Sequence, residues 1–160
     1  RRPRVTLRCL DQAVEPEHLL QALLQQKEGV VGPLLAKLGA RPEALARQVQ
    51  IASDAAKGGA ARLAQLEPPA FEDNEATFAD LIARCRKTIA YLETLKPEQI
   101  DGSEERTVTW KTRTATKSMQ GMPYLLNHVL PNLYFHITTT YAILRHNGVE
   151  IGKGDFLGKS

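Results

Sequence analysis

Apolar residues along this chain recur mostly three and four positions apart, the spacing that lines one face of an α-helix. The first such run, Leu19, Leu20, Leu23 and Leu24, predicts a helix over about residues 16–27. Pro16 suits its first turn, Glu15 and Glu17 suit its N-terminal dipole, and Gly29 stops it. A short helix carrying Leu34, Leu35 and Leu38 follows and ends at Gly39. From Pro42 the stripe Leu45, Val49, Ala52, Ala56, Leu63 and Leu66 predicts a long helix reaching Pro68-Pro69, with Gly58-Gly59 as a weak point where it would bend. Asp73 or Asn74 is the expected N-cap of the next helix, whose stripe is Phe78, Leu81, Ile82, Cys85, Ile89, Leu92 and Leu95, closed by Lys96-Pro97.

The period then changes. Asp101-Gly102 reads as a turn, Thr107-Val108-Thr109-Trp110 alternates with β-formers, and Thr112 to Met119 returns, which predicts a small hairpin. Met122-Pro123 opens a last helix with the stripe Leu126, Val129, Leu130, Leu133, Ile137, Thr140, Tyr141 and Leu144, ending at Asn147-Gly148 and kinked by Pro131. The glycine-rich tail from Val149 carries an apolar pair, Phe156-Leu157, expected to lie along the helices. The fold class is therefore all-α, an up-down helical bundle with a hairpin before the last helix.

At 160 residues and 42% hydrophobic content, the chain suffices for one core without metal or disulfide staples. No run of eighteen apolar residues exists and Arg1 to Val5 is no apolar leader, so no membrane partner and a cytoplasmic location are expected. Cys9 and Cys85 have no motif spacing, and Cys85 falls on a buried stripe, so a disulfide is not expected. The net charge of +3 traces to Arg1, Arg2, Arg4 and Arg8, read as a solvated tail rather than a nucleic-acid surface because no aromatic residues interleave with them.

Several motifs resemble known families. Residues 48–57, Phe71-Glu72-Asp73, the run Pro131-Asn132-Leu133-Tyr134-Phe135-His136, and Tyr141 through Gly152 resemble a bacterial domain-of-unknown-function family among the DinB/YfiT-like metalloenzymes. That likeness covers about residues 47–158 and implies a four-helix bundle, often dimeric. The segment Ala13 to Leu20, with Gly29 to Leu35 and Leu38-Gly39, resembles instead part of the N-terminal domain of Clp-type disaggregases, which in that family helps engage protein substrates. Together they imply a chimera, with residues 1–46 standing in for the first part of the bundle and 47–160 supplying the rest of one compact domain. No phosphate-binding Gly-x-x-x-x-Gly-Lys-Ser/Thr occurs, which excludes nucleotide-driven unfolding.

The DinB resemblance implies a divalent metal held by three histidines, so His18, His128, His136 and His146 are the candidates, and His18, His128 and His136 are the set to test. Along one helix His128 and His136 would stand about 12 Å apart and His136 and His146 about 15 Å, too far to share an ion. A site therefore needs His18 to converge with one of them and a carboxylate such as Asp54 or Glu75. The bland reading makes His136 a partly buried, hydrogen-bonded residue at the stripe's edge and leaves His128, Phe135 and His146 on the opposite face, where Phe135 suggests a packed partner. Ser53, Ser103 and Ser118 sit in no nucleophile motif, and Trp110 reads as a cap on the bundle's open end, with a ligand contact as the alternative.

These readings lead to a non-catalytic, uncharacterised DinB-like bundle that forms a homodimer, with no catalytic or cofactor residues. A metal-dependent hydrolase or transferase of the DinB type is the first alternative. A module binding unfolded polypeptide through Leu19, Leu20, Leu23 and Leu24 is the second.

Overall fold

A computed structural model describes residues 42–157. The basic lead, Cys9, His18, the helices expected near 16–27 and 34–38, and the Clp-like segment lie outside these residues. The described chain is mostly helical with one two-stranded antiparallel hairpin.

Helix α1, Pro42–Leu63, buries Leu45, Val49, Ala52, Ala56, Ala60 and Leu63 and runs unbroken through Gly58 and Gly59. It stops five residues short of the expected proline. Gln65 takes a left-handed φ of 58°, its N–H donates to the Arg62 carbonyl at 3.1 Å, and the Leu66 N–H donates to the Ala61 carbonyl at 2.8 Å. This paired closure ends the helix with glutamine where glycine is usual, and Arg106 donates to the otherwise orphaned Leu63 carbonyl. Leu66 consequently leaves the stripe and stands 42% exposed.

Helix α2, Phe78–Glu93, begins later than expected. Its N-cap is Thr77, which accepts from the Asp80 N–H while the Asp80 carboxylate accepts from the Thr77 N–H, a reciprocal capping box. Asp73 cannot serve there because it pairs with Arg84. Leu81, Leu92 and Leu95 are buried as predicted, but so are Arg84 and Thr88. A single turn, α3, Pro97–Ile100, leads into strands β1, Thr107–Lys111, and β2, Thr116–Gln120, with Trp110 opposite Lys117. β1 alternates, turning Val108 and Trp110 inward, whereas β2 is exposed throughout.

The last helical segment is divided into the short α4, Gly121–Tyr124, a π-helical turn over Leu125–Val129, and α5, Leu130–His146. Pro131 has no N–H to give the Asn127 carbonyl, and its ring crowds that carbonyl. The preceding turn widens, so that the Leu130 N–H reaches back five residues to Leu125. The extra residue rotates the stripe: Leu125 is buried and Leu126, expected in the core, is 51% exposed. Beyond it Val129, Leu133, Ile137, Thr140 and Leu144 are buried as predicted. The tail packs Val149 and Ile151 inward and ends in α6, Lys153–Leu157, where Phe156 meets Tyr141 edge-on at 5.7 Å and Leu157 faces out.

Helix α1 is the shared wall, packed against α2 on one side and α5 on the other. Full burial of side chains such as Leu63, Leu125, Leu133 and Leu144 stabilises this seam by about 1.5–3 kcal/mol each. Among the described residues no helix is long and apolar enough to cross a membrane.

Candidate functional site

The histidines occupy separate settings. His136, half-buried on α5, donates from Nδ1 to Gln48 Oε1 of α1 at 2.6 Å, and its ring meets Phe135 edge-on at 5.1 Å. Burial, aided by the Arg47 charge, lowers its pKa. His128, expected on the surface or in a subunit contact, is half-buried on the π-helical turn, against Trp110, ring centroids 4.7 Å apart, and Tyr124, 5.5 Å apart. Burial and the charges of Lys117 and Arg62 lower its pKa as well. His146 is exposed at the far end of α5, and His18 lies outside the described residues.

Among the described residues no three histidine, cysteine, aspartate or glutamate side chains gather to hold a metal. His128 and His136 face different neighbours, and cations flank each of them. The third histidine of the expected set, His18, lies outside the described residues. Asp54 and Glu75, the carboxylates considered as completing ligands, are committed elsewhere.

Their partner is Arg84. Its side chain, 2% exposed, pairs with Asp54 at 2.9 Å, Asp73 at 3.0 Å and Glu75 at 2.7 Å, and donates to the Glu72 carbonyl. Gln50 donates to Glu75 at 2.8 Å, Ser53 and Thr88 share a hydrogen bond of 2.6 Å, and Lys57 pairs with Asp54 at 2.8 Å. Lys57 and Lys87 also lie over the Phe71 ring, at 4.8 and 4.2 Å from its centroid. Desolvation pushes the Glu75 carboxyl up, but hydrogen bonds from Arg84 and Gln50 hold it below its ordinary value. The network fastens the segment between α1 and α2 to both helices, which is a structural task.

The other polar concentration lies at the C-terminal end of α1. Arg62, in its last turn, donates to the Tyr124 hydroxyl at 3.2 Å, and Tyr124 tilts against Trp110 at 4.8 Å. Two hollows flank this group. One of about 160 Å³ is bordered by Arg62, Asp54, Tyr124, His128 and Asn132. The other, about 570 Å³, opens between the end of α1 and the hairpin and is bordered by Arg62, Glu67, Val108, Trp110 and Lys111. Trp110, expected as a cap, is buried against Tyr124 and His128 and also forms a wall of the larger hollow. Arg62, Tyr124 and Asn132 were not singled out from sequence, because nothing in their spacing reveals that a widened turn would bring His128 and Tyr124 over one arginine.

Comparison with known proteins agrees with this architecture. A family model described as Domain of unknown function (DUF1993) matches residues 12–157, running without interruption across the point near residue 46 where the two resemblances met. The Clp likeness is not shown by that match. A crystal structure titled as a DinB family member protein from Shewanella denitrificans is similar over 96% of this chain and 89% of its own, with 35% identity and a TM-score of 0.72. With a family model covering most of its length and a solved relative of the same architecture, the chain belongs to the DUF1993 family of DinB-like proteins.

Proposed function

We propose that this DUF1993 domain is a non-catalytic helical bundle that pairs with a second copy of itself through the outer face of α5. Four helices complete the bundle in this reading, with the segment before residue 47 filling the first position of one domain, and its setting is the cytoplasm. The observation that carries the proposal is the chemistry of that face. From Gly121 to Leu144 the chain has no aspartate, glutamate, lysine or arginine, yet Leu126, Tyr134 and Phe135 are 51%, 44% and 64% exposed. Exposed helix faces of monomers usually carry charge. A face with neither sign meets its own copy across a two-fold axis without like-charge repulsion, and it offers nothing to a strongly charged partner.

The non-catalytic part rests on the described side chains. Ser53 is bonded to Thr88, and burial holds the Cys85 thiol protonated. Neither adjoins a general base, which a nucleophile requires. Size-exclusion chromatography with light scattering on the full chain tests the pairing. A dimer is expected, converting to monomer in Phe135→Glu with its helical content intact. A monomer across the accessible concentration range overturns it.

A further inference from the structure

The hollows around Arg62 have features that neither packing nor pairing requires. Arg62 ends α1 with its guanidinium folded back over Gly58, where a Cβ would lie 2.6 Å from Nη1. Its one side-chain partner among the described residues is the Tyr124 hydroxyl, and the ion pairs they form gather on Arg84, Lys57 and Arg47 instead. Among the described residues this half-buried guanidinium, with five donors, meets one side-chain acceptor, and that one is neutral. Lys111 borders the larger hollow, and Lys117 is near enough to act on His128. Of the two acids on the rims, Asp54 is already neutralised by Lys57 and Arg84, and Glu67 stands alone against the cations. Among the described residues, Arg62, Lys111 and Lys117 thus outnumber the one acid on the rims that no cation pairs.

The walls supply the second half of the chemistry. Trp110, Val108 and Leu66 give the larger hollow, about 570 Å³ and open to solvent, an apolar side within a more polar lining. A planar guanidinium beside an aromatic wall suits a compact molecule with an oxyanion at one end and an apolar body at the other. The π-helical turn at Leu125–Val129, a feature that recurs at functional sites, follows Tyr124, which Arg62 bonds, and carries His128 to the border of the smaller hollow.

We propose that the pocket between the end of α1, Trp110 and the hairpin binds a small organic oxyanion, a carboxylate or a phosphate monoester, with Arg62 as its anchor. Arg62 takes the charged group, Lys111 and Lys117 add long-range attraction, and Trp110 packs the body. This site is independent of the α5 surface, so a monomeric protein would leave it standing.

Trp110 is the one tryptophan of the chain, so its fluorescence reports on the pocket directly. Full-length protein is titrated at constant ionic strength with benzoate, phenyl phosphate, inorganic phosphate and benzyl alcohol. Saturable changes with benzoate or phenyl phosphate are expected, with whichever binds more tightly naming the oxyanion, and at least about tenfold weaker responses from inorganic phosphate and from benzyl alcohol. Arg62→Gln should weaken binding by about tenfold or more. Lys117→Gln, an exposed change on β2 that spares the fold, should weaken it about twofold to fivefold. The proposal is overturned if neither aromatic anion gives a saturable change, if benzyl alcohol matches them, or if a folded Arg62→Gln binds as well as the parent. Should Arg62→Gln lose its helical signal, the Lys117→Gln result decides, and unchanged affinity there overturns the assignment.

Discussion

Gly59 and Val129 meet so closely that a Cβ on Gly59 would stand 2.4 Å from Val129 Cγ1. The adjacent glycines, which in sequence look like a flaw in a long helix, are thus where the π-helical turn docks onto α1 and where Arg62 lies down.

The two glycines should respond oppositely to alanine. Gly59→Ala forces a stiff, buried valine to move and should destabilise the fold by about 1–3 kcal/mol, while Val129→Ala in the same chain recovers part of the loss. Gly58→Ala meets only the tip of a flexible arginine. It should raise stability by up to about 1 kcal/mol through helix propensity while displacing Arg62. Urea denaturation of the single and double variants measures both effects.

Arg84 and Glu75 form a pair whose side chains are 2% and 7% exposed. Arg84→Ala leaves a buried carboxylate uncompensated and should cost about 3–5 kcal/mol. The pH dependence follows from the Glu75 shift: its pKa in the fold is below the ordinary 4.5, so the unfolded chain binds its proton first. That stability is fully present above pH 4.5 and drains away as pH falls through the folded value. In Glu75→Gln the acid-side slope of the unfolding free energy should become shallower.

For His136 the sign is the reverse in charge but the same in direction. Its lowered pKa means the fold prefers the neutral ring that bonds Gln48, while the unfolded chain takes up a proton near the ordinary 6.5. No stability is lost above that pH, and it decreases as pH falls from there toward the folded value. An NMR titration should find His136 titrating below the ordinary 6.5, and a value at or above it overturns this.

Cys85 offers a chemical check. Burial, opposed by the nearby Arg84 charge, pushes its thiol up to about 12. In a Cys9→Ser background it should ignore a thiol reagent at pH 8 until denaturant is added. Immediate stoichiometric labelling would show that α2 does not pack as described.

Most of the helical scaffold was legible because one-sided apolar spacing has few other physical outcomes. Leu45 through Leu63 and most of Val129 through Leu144 are buried on the face their period predicts, and so are Leu81, Leu92 and Leu95, while Ile82, Cys85 and Ile89 are only partly buried beside Arg84 and Thr88. The alternation from Thr107 to Trp110 matches β1. The boundaries were less legible, since Asp73, Asn74 and Thr77 are all competent caps; the structure uses Thr77, whose box closes with Asp80, while Asp73 pairs with Arg84. The candidate pocket is hardly legible: Trp110 stands out, while the helical period sets His128 opposite the apolar stripe and gives no sign of its packing against Trp110 and Tyr124.

Sequence by itself determined which side of each helix is apolar, where the hairpin turns, and that one face of the last helix has no charge, because these depend on residue order and local periodicity. Only the tertiary structure decided that Pro131 would widen the preceding turn, that the glycine pair would admit Val129 and Arg62, and that buried charges would gather on Arg84. Those outcomes depend on which surfaces press together across 60 or more residues in the case of Arg62 and Tyr124, a distance at which local spacing carries no information.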